Sequence, residues 1–321
     1  MTSRRDFLKG AVLAGVGGVV QGCCARAPRG AQEGGEAGLI PIVDTHQHMW
    51  DLGRFELPWT KNEKPLARNF LMSDYLEASS GLNVVKTVYM EVDVTPSQQV
   101  KEAEHVIEMC RRDDNPMSGA VISGRPSSDG FRDYITAFKD TPEIKGVRRI
   151  LQVGETPPGH CLGDKFVESV RLVGELGMSF DLCMRHGEIP DAAKLADACP
   201  DTQLVLDHCG NAEVHSADRS KWRSDIAALA GKKNVACKIS GFIATAKKGE
   251  WKTEDLAPII RHCYESFGPD RVVFGSDWPV CNLSASYKSW VGALKEVMKD
   301  EPEEHRRKLF HDNAIRVYRL G

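Results

Sequence analysis

Pro41-Ile42-Val43-Asp44-Thr45-His46-Gln47-His48 passes from a short apolar, β-branched run straight into two histidines spaced two residues apart. In extended chain, alternate side chains share a face, so both imidazoles point the same way. Seven further apolar runs follow: Val84 to Met90, Gly119 to Ser123, Gly146 to Leu151, Met178 to Met184, Gln203 to Asp207, Val235 to Ser240 and Arg271 to Gly275. Their near-continuous apolar character is that of strands buried on both faces. Amphipathic stretches separate them, namely Ser97 to Arg112, Lys165 to Leu176, Ala192 to Ala198, Lys221 to Ala230 and Glu254 to Phe267. Eight strands alternating with helices predict an α/β chain folded as a single (β/α)8 TIM barrel over residues 38–321. An open doubly wound sheet is disfavoured, since no G-x-G-x-x-G turn follows the first strand.

The last two helical segments, Ala285 to Lys299 and Glu303 to Tyr318, are expected to cover the outside of the barrel. The stretch Met49 to Leu71, which holds Trp50, Phe55, Trp59 and Phe70, has no clear period and is too long for a plain connection. It is expected to fold over the site or to plug the barrel mouth.

Barrel active sites lie at the carboxyl ends of the strands, which is where His46 and His48 fall. A lone histidine is commonly structural, but a pair at this position favours a site. The eighth run continues into Gly275-Ser276-Asp277-Trp278-Pro279, an apolar strand ending in a carboxylate, and in a closed barrel it neighbours the first. Asp277 is therefore the leading catalytic candidate, with an N-cap of the following turn as its structural alternative. Arg148 closes the fourth strand with a guanidinium suited to a substrate oxygen or to an ion pair at the rim, while Arg149 should face outward. Arg185 and His186 end the fifth strand and are weaker candidates of the same kind. Glu91 and Asp93, after the second strand, form a further tier. Trp50, Trp59 and Trp278 offer rings that would stack on a pyranose face. The remaining histidines fall on helices or loops, where a surface role is expected.

The 42 Lys and Arg nearly balance 45 Asp and Glu, leaving a formal charge of -3, so no global field draws in nucleic acid or an anionic membrane. Ten cysteines are scattered without CxxC pairs in a chain large enough to need no disulfide staples. Cys183, Cys209 and Cys237 lie in or beside strand runs, where a thiol behaves as a small hydrophobe. At the amino end, Arg4-Arg5 precedes the uncharged run Gly10 to Val20, which is too short to span a bilayer. Residues 1–37 are expected to be a removable twin-arginine signal and a flexible spacer, with the Tat export machinery as partner and a periplasmic destination. The mature protein is then expected to have no transmembrane segment. Val20-Gln21-Gly22-Cys23 is a loose lipoprotein box, which leaves a lipid anchor at Cys23 as a second reading.

These elements together resemble the amidohydrolase superfamily, in particular its amidohydrolase-2 branch with fuconolactonase-like and pyrone-dicarboxylate lactonase-like members. The resemblance spans nearly all of residues 40 to 320. It rests on Val43-Asp44-Thr45-His46-Gln47-His48 with Trp50-Asp51, Lys145-Gly146-Val147-Arg148, Leu206-Asp207-His208-Cys209-Gly210, Lys238-Ile239-Ser240-Gly241, Gly275-Ser276-Asp277-Trp278-Pro279, and Asn313-Ala314 with Tyr318. It implies the barrel, hydrolysis of a small cyclic ester, and a role for His46, His48, His208 and Asp277 in holding a metal or polarising the substrate. Imidazole nitrogen and carboxylate oxygen suit Zn²⁺, and at most one divalent ion is expected. Members of the branch divide between metal-using and metal-independent forms. A metal-dependent decarboxylase of the same superfamily and an envelope carbohydrate-binding protein without turnover are the competing readings.

Overall fold

A computed structural model describes residues 39–152 and 156–321. The expectations placed on residues 1–37, the export signal and the Cys23 anchor, lie outside the described residues. Eight parallel strands form one sheet in sequential order: β1 (Ile42–Gln47), β2 (Val84–Met90), β3 (Met117–Ser123), β4 (Ile144–Ile150), β5 (Ser179–Cys183), β6 (Leu204–Leu206), β7 (Val235–Ile239) and β8 (Val272–Phe274). Every expected apolar run is thus a strand, and the first extends three residues further than its apolar part, through the His46 position. The sheet curls until β8 meets β1. That seam is made by the Thr45 hydroxyl on the Phe274 carbonyl at 2.6 Å, Asp277 N–H on His46 O at 2.8 Å and His48 N–H on Trp278 O at 2.8 Å. The result is a (β/α)8 barrel, and among the described residues no helix is long and apolar enough to cross a membrane.

The large core lies between the strands' outer faces and the surrounding helices, which include Gln99–Cys110, Asp164–Glu175, Ile189–Ala198, Ser220–Ala230, Thr253–Phe267 and Tyr287–Val297. Inside the barrel sits a second, smaller apolar cluster of Val43, Val88, Met90, Val121, Val205, Ala236 and Val273, packed with Ala314, Val317, Tyr318 and Leu320. This corrects the expectation for the end of the chain. Glu303 to Tyr318 is three pieces, Glu303–Arg307, a π-helical turn Lys308–Asp312 and Asn313–Val317. Its last part turns under the strands and floors the barrel, because Val317, Tyr318 and Leu320 bury more apolar surface there than on the outside.

Residues 49–71 fold into two 3-10 turns, Pro58–Asn62 and Lys64–Leu66, pinned by Trp50 and Phe70 exchanging backbone hydrogen bonds. Phe55, Leu57, Leu66 and Phe70 are buried beneath it. Trp59, whose indole N–H bonds to Val92 O at 2.8 Å, is carried to the barrel mouth.

Candidate active site

A cavity of about 620 Å³ opens at the carboxyl ends of the strands, within the size range of small-molecule sites. His48, Arg148, Cys183, Arg185, His186, His208 and Asp277 line it, together with Trp59, Asp93, Asn211 and Glu213. At its base three ligand-type atoms converge. His46 Nε2 and His48 Nε2 are 3.2 Å apart, His48 Nε2 is 3.2 Å from Asp277 Oδ1, and His46 Nε2 is 3.6 Å from the same oxygen. Two ligands held tetrahedrally at zinc-type bond lengths stand about 3.4 Å apart, so this spacing fits a divalent ion. His48 is oriented by its Nδ1, which bonds to Met90 O at 2.9 Å, leaving Nε2 to face Asp277.

Local backbone explains how the side chains reach the mouth. Asp44, at the end of the apolar run, accepts from Ser276 N–H at 2.8 Å through one oxygen and from the Tyr75 and Tyr287 hydroxyls through the other. It therefore ties the strand to the β8 turn from outside the barrel. Asp277 adopts φ +55°, a conformation that Asp tolerates better than most residues and that aims its carboxylate inward. His208 to Asn211 are four consecutive left-handed residues, φ +56°, +53°, +66° and +53°. They turn the chain sharply after β6 and lay the His208 ring against His46, with centroids 4.5 Å apart. His208 Nδ1 is 2.9 Å from the Ser240 hydroxyl. Gly241, at φ +58°, leaves the space for that ring, since a Cβ there would lie 2.0 Å from His208 Nδ1. His208 offers a ligand atom to a second group, with His46 and Asp207, and is not in the tight His46, His48, Asp277 set.

Below the mouth lies a layer of buried charge that sequence reasoning missed. Lys238 is fully buried, 2.7 Å from Asp181 Oδ2 and 2.9 Å from Asp207 Oδ1, with its ammonium also 3.2 Å from His46 Nδ1. The Tyr318 hydroxyl donates to Asp181 from the floor at 2.7 Å. Burial would lower the Lys238 pKa, but Asp181 and Asp207 hold it above the usual lysine range. Burial likewise works to raise Asp207, yet Lys238 and His46 hold it well below the ordinary carboxylate range. Burial first, and then the Lys238 ammonium, push the His46 pKa well below 6.5. His208 is lowered by burial as well. The clue in the sequence was a single charge inside each of two apolar runs, Asp181 and Lys238, and one at the end of a third, Asp207.

Arg148 faces the cavity but is also the ion-paired residue of its structural reading. Its Nε donates to Glu91 Oε1 at 2.7 Å, one terminal nitrogen to Glu91 O at 2.7 Å, and the other lies 3.2 Å from His46 Nε2. Arg149 turns away from the cavity, 3.9 Å from Asp93. Arg185 bonds to Glu188 at 3.0 Å and to Thr156 O at 3.0 Å, beside the exposed His186. Trp50 and Trp278 do not line the cavity, contrary to their expected stacking role. Trp50 packs edge-on against Trp59 and Phe70, and Trp278 against Phe70 and Tyr75, because the Met49–Leu71 segment covers both rings. Trp59 is the indole that reaches the mouth.

Comparison with known proteins agrees with this geometry. L-fucono-1,5-lactonase of Burkholderia multivorans is 26% identical over 87% of this chain and 96% of its own length. The 2-pyrone-4,6-dicarboxylate hydrolase of Comamonas testosteroni is 28% identical over 86% and 89%. Among solved structures, a zinc-bound amidohydrolase from Burkholderia multivorans superposes with a TM-score of 0.79 at 22% identity, covering 88% of this chain and all of the other. A family model described as Amidohydrolase matches residues 43–320, which contain every residue of the site and all eight strands apart from Ile42 at the start of β1, and the chain belongs to that amidohydrolase family.

Proposed function

We propose that the protein is a lactonase that opens a small, uncharged sugar-acid lactone by attack of water, with Asp277 as general base. The convergence of His46, His48 and Asp277 at the base of the cavity carries this reading. The relatives named for lactone hydrolysis support it. Asp277 is placed to accept a proton from water as that water attacks the ring carbonyl. His48, fixed by Met90 O, and His46, wedged between Lys238 and Arg148, hold their geometry without reorganisation during the reaction. His208 faces the same space and is a donor toward the oxygen that develops negative charge. His46, His48 and Asp277 would hold a divalent ion, with zinc the best match to two imidazoles and a carboxylate; such an ion polarises the carbonyl and lowers the pKa of water.

Charge around the cavity favours a neutral ring over a dicarboxylate. Arg148 and Arg185, which line it, already carry the carboxylates of Glu91 and Glu188, and Glu213 adds negative charge to the wall. A dianionic pyrone would meet more acid than unpaired base. Acid release from a panel of aldonolactones and pyrone carboxylates, with and without a chelator, tests the proposal. Turnover of neutral aldonolactones is expected, and loss on chelation with recovery on added Zn²⁺ places the ion. Release of CO₂ from an aromatic acid with no ring opening would move the assignment to a decarboxylase. The Arg4-Arg5 leader adds an export reading, for which replacing both arginines by lysine is expected to retain the protein in the cytoplasm.

A further inference from the structure

Outside the barrel wall, Cys209 after β6, Cys237 on β7 and Cys263 on the helix Thr253–Phe267 bring their sulfurs within 4.8 Å of one another. All three are fully buried free thiols. Lys238 and Ala236, the strand neighbours of Cys237, face the barrel interior, so Cys237 points outward into the seam between β7 and that helix. The sequence reading of Cys209 and Cys237 as isolated hydrophobes does not account for three sulfurs meeting at one point. Ligands at a metal–sulfur bond of about 2.3 Å in a trigonal plane stand about 4.0 Å apart, so small side-chain shifts would bring all three into bonding range. The group contains no imidazole or carboxylate, and Cys209 Sγ also donates to Lys238 O at 3.8 Å. Zinc in structural sites takes four ligands, whereas three soft sulfurs suit a monovalent thiophilic ion.

We propose that Cys209, Cys237 and Cys263 form a three-sulfur site for a soft monovalent ion of the Cu(I) class, separate from the His46, His48, Asp277 group. Each sulfur that binds the ion does so as thiolate and gives up its proton to solvent, so uptake is accompanied by acid release. Cys209 directly follows His208 in the left-handed turn, so an ion held there fastens the segment that presents His208 to the cavity.

The test is anaerobic delivery of Cu(I) from a weak chelator to the reduced full-length protein, followed by desalting, copper analysis and X-ray absorption at the copper edge. Retention of about one ion per chain with a sulfur-only shell is expected. Cys237→Ser and Cys263→Ser should abolish retention, while Cys110→Ser and Asp277→Asn, outside the cluster, should leave it intact. A nitrogen and oxygen shell, which places the ion at the histidines, or no retained copper in the unsubstituted protein, overturns the proposal. If a serine variant does not fold, the Cys23→Ser, Cys24→Ser variant decides the matter: one ion retained with a sulfur-only shell supports the site, and loss of the ion overturns it.

Discussion

The backbone N–H of Asp277 donates to the carbonyl of His46 at 2.8 Å. One hydrogen bond thus joins the last strand of the barrel to the first and also fixes how far the base stands from the two imidazoles. The contact that closes the sheet is therefore also one that shapes the site.

Asp277→Asn keeps the size and the hydrogen-bonding backbone of the residue but removes its capacity to take a proton. Hydrolysis is expected to fall about 10²- to 10⁴-fold in kcat, with the melting temperature little changed. Steady-state acid release measures it, and turnover within a factor of a few of the parent would remove Asp277 from the mechanism.

Gly241→Ala should displace the His208 ring, because the new methyl would stand 2.0 Å from its Nδ1. A misplacement of about 1 Å at a reacting group costs on the order of 10²-fold in rate. A fall in kcat larger than the change in KM is expected, and unchanged kinetics would show that His208 can move freely.

Arg148 and Glu91 form a fully buried ion pair at 2.7 Å. Removing one partner strands a charge and is expected to destabilise by about 3–5 kcal/mol in Arg148→Met. The double variant Arg148→Met with Glu91→Leu should recover most of that stability in chemical denaturation. If activity stays lost in the double variant, Arg148 acts in the site, on the substrate or through His46; if it returns, the arginine serves only its pair.

Glu102 titrates abnormally, since burial and then the nearby Glu91 raise its pKa from 4.5 to about 8. The folded state therefore holds this proton more tightly than the unfolded chain does. That contribution to stability is complete below the unfolded value and is lost as pH rises through the folded one. Glu102→Gln mimics the protonated form, so its melting temperature relative to the parent should climb between about pH 5 and pH 9. A difference independent of pH would contradict the shift.

Trp59 and Trp50 should behave differently on replacement by alanine. Trp59 lines the cavity, so its loss is expected to raise KM several-fold. Trp50 is 2% exposed and bonded through its indole to Arg68 O, so its loss should cost about 3–5 kcal/mol of stability. Kinetics and thermal melts on the two variants distinguish them.

The strands were legible because a parallel barrel buries both faces of each one, which leaves unbroken apolar runs at regular intervals. His46, His48 and Asp277 were legible for a related reason, as polar residues placed where those runs end. Asp181 and Lys238, inside their runs, were not, since a buried charge makes sense only with its partner, and the two are 57 residues apart; Asp207 does end its run, but its role too depends on Lys238. The tryptophans show the same limit. Trp50 and Trp59 have the same composition and similar neighbours, and only the path of the covering segment decides which one reaches the mouth.

Residues 314 to 320 underlie everything above them: Tyr318 bonds to Asp181, Asp181 to Lys238, and Lys238 approaches His46. Synthesis runs in the opposite order. The histidines of β1 leave the ribosome more than two hundred residues before the tyrosine that props them, so a nascent barrel has its site residues long before it has their support. The catalytic layer thus lacks its floor until the last residues are made, although its first members are among the earliest.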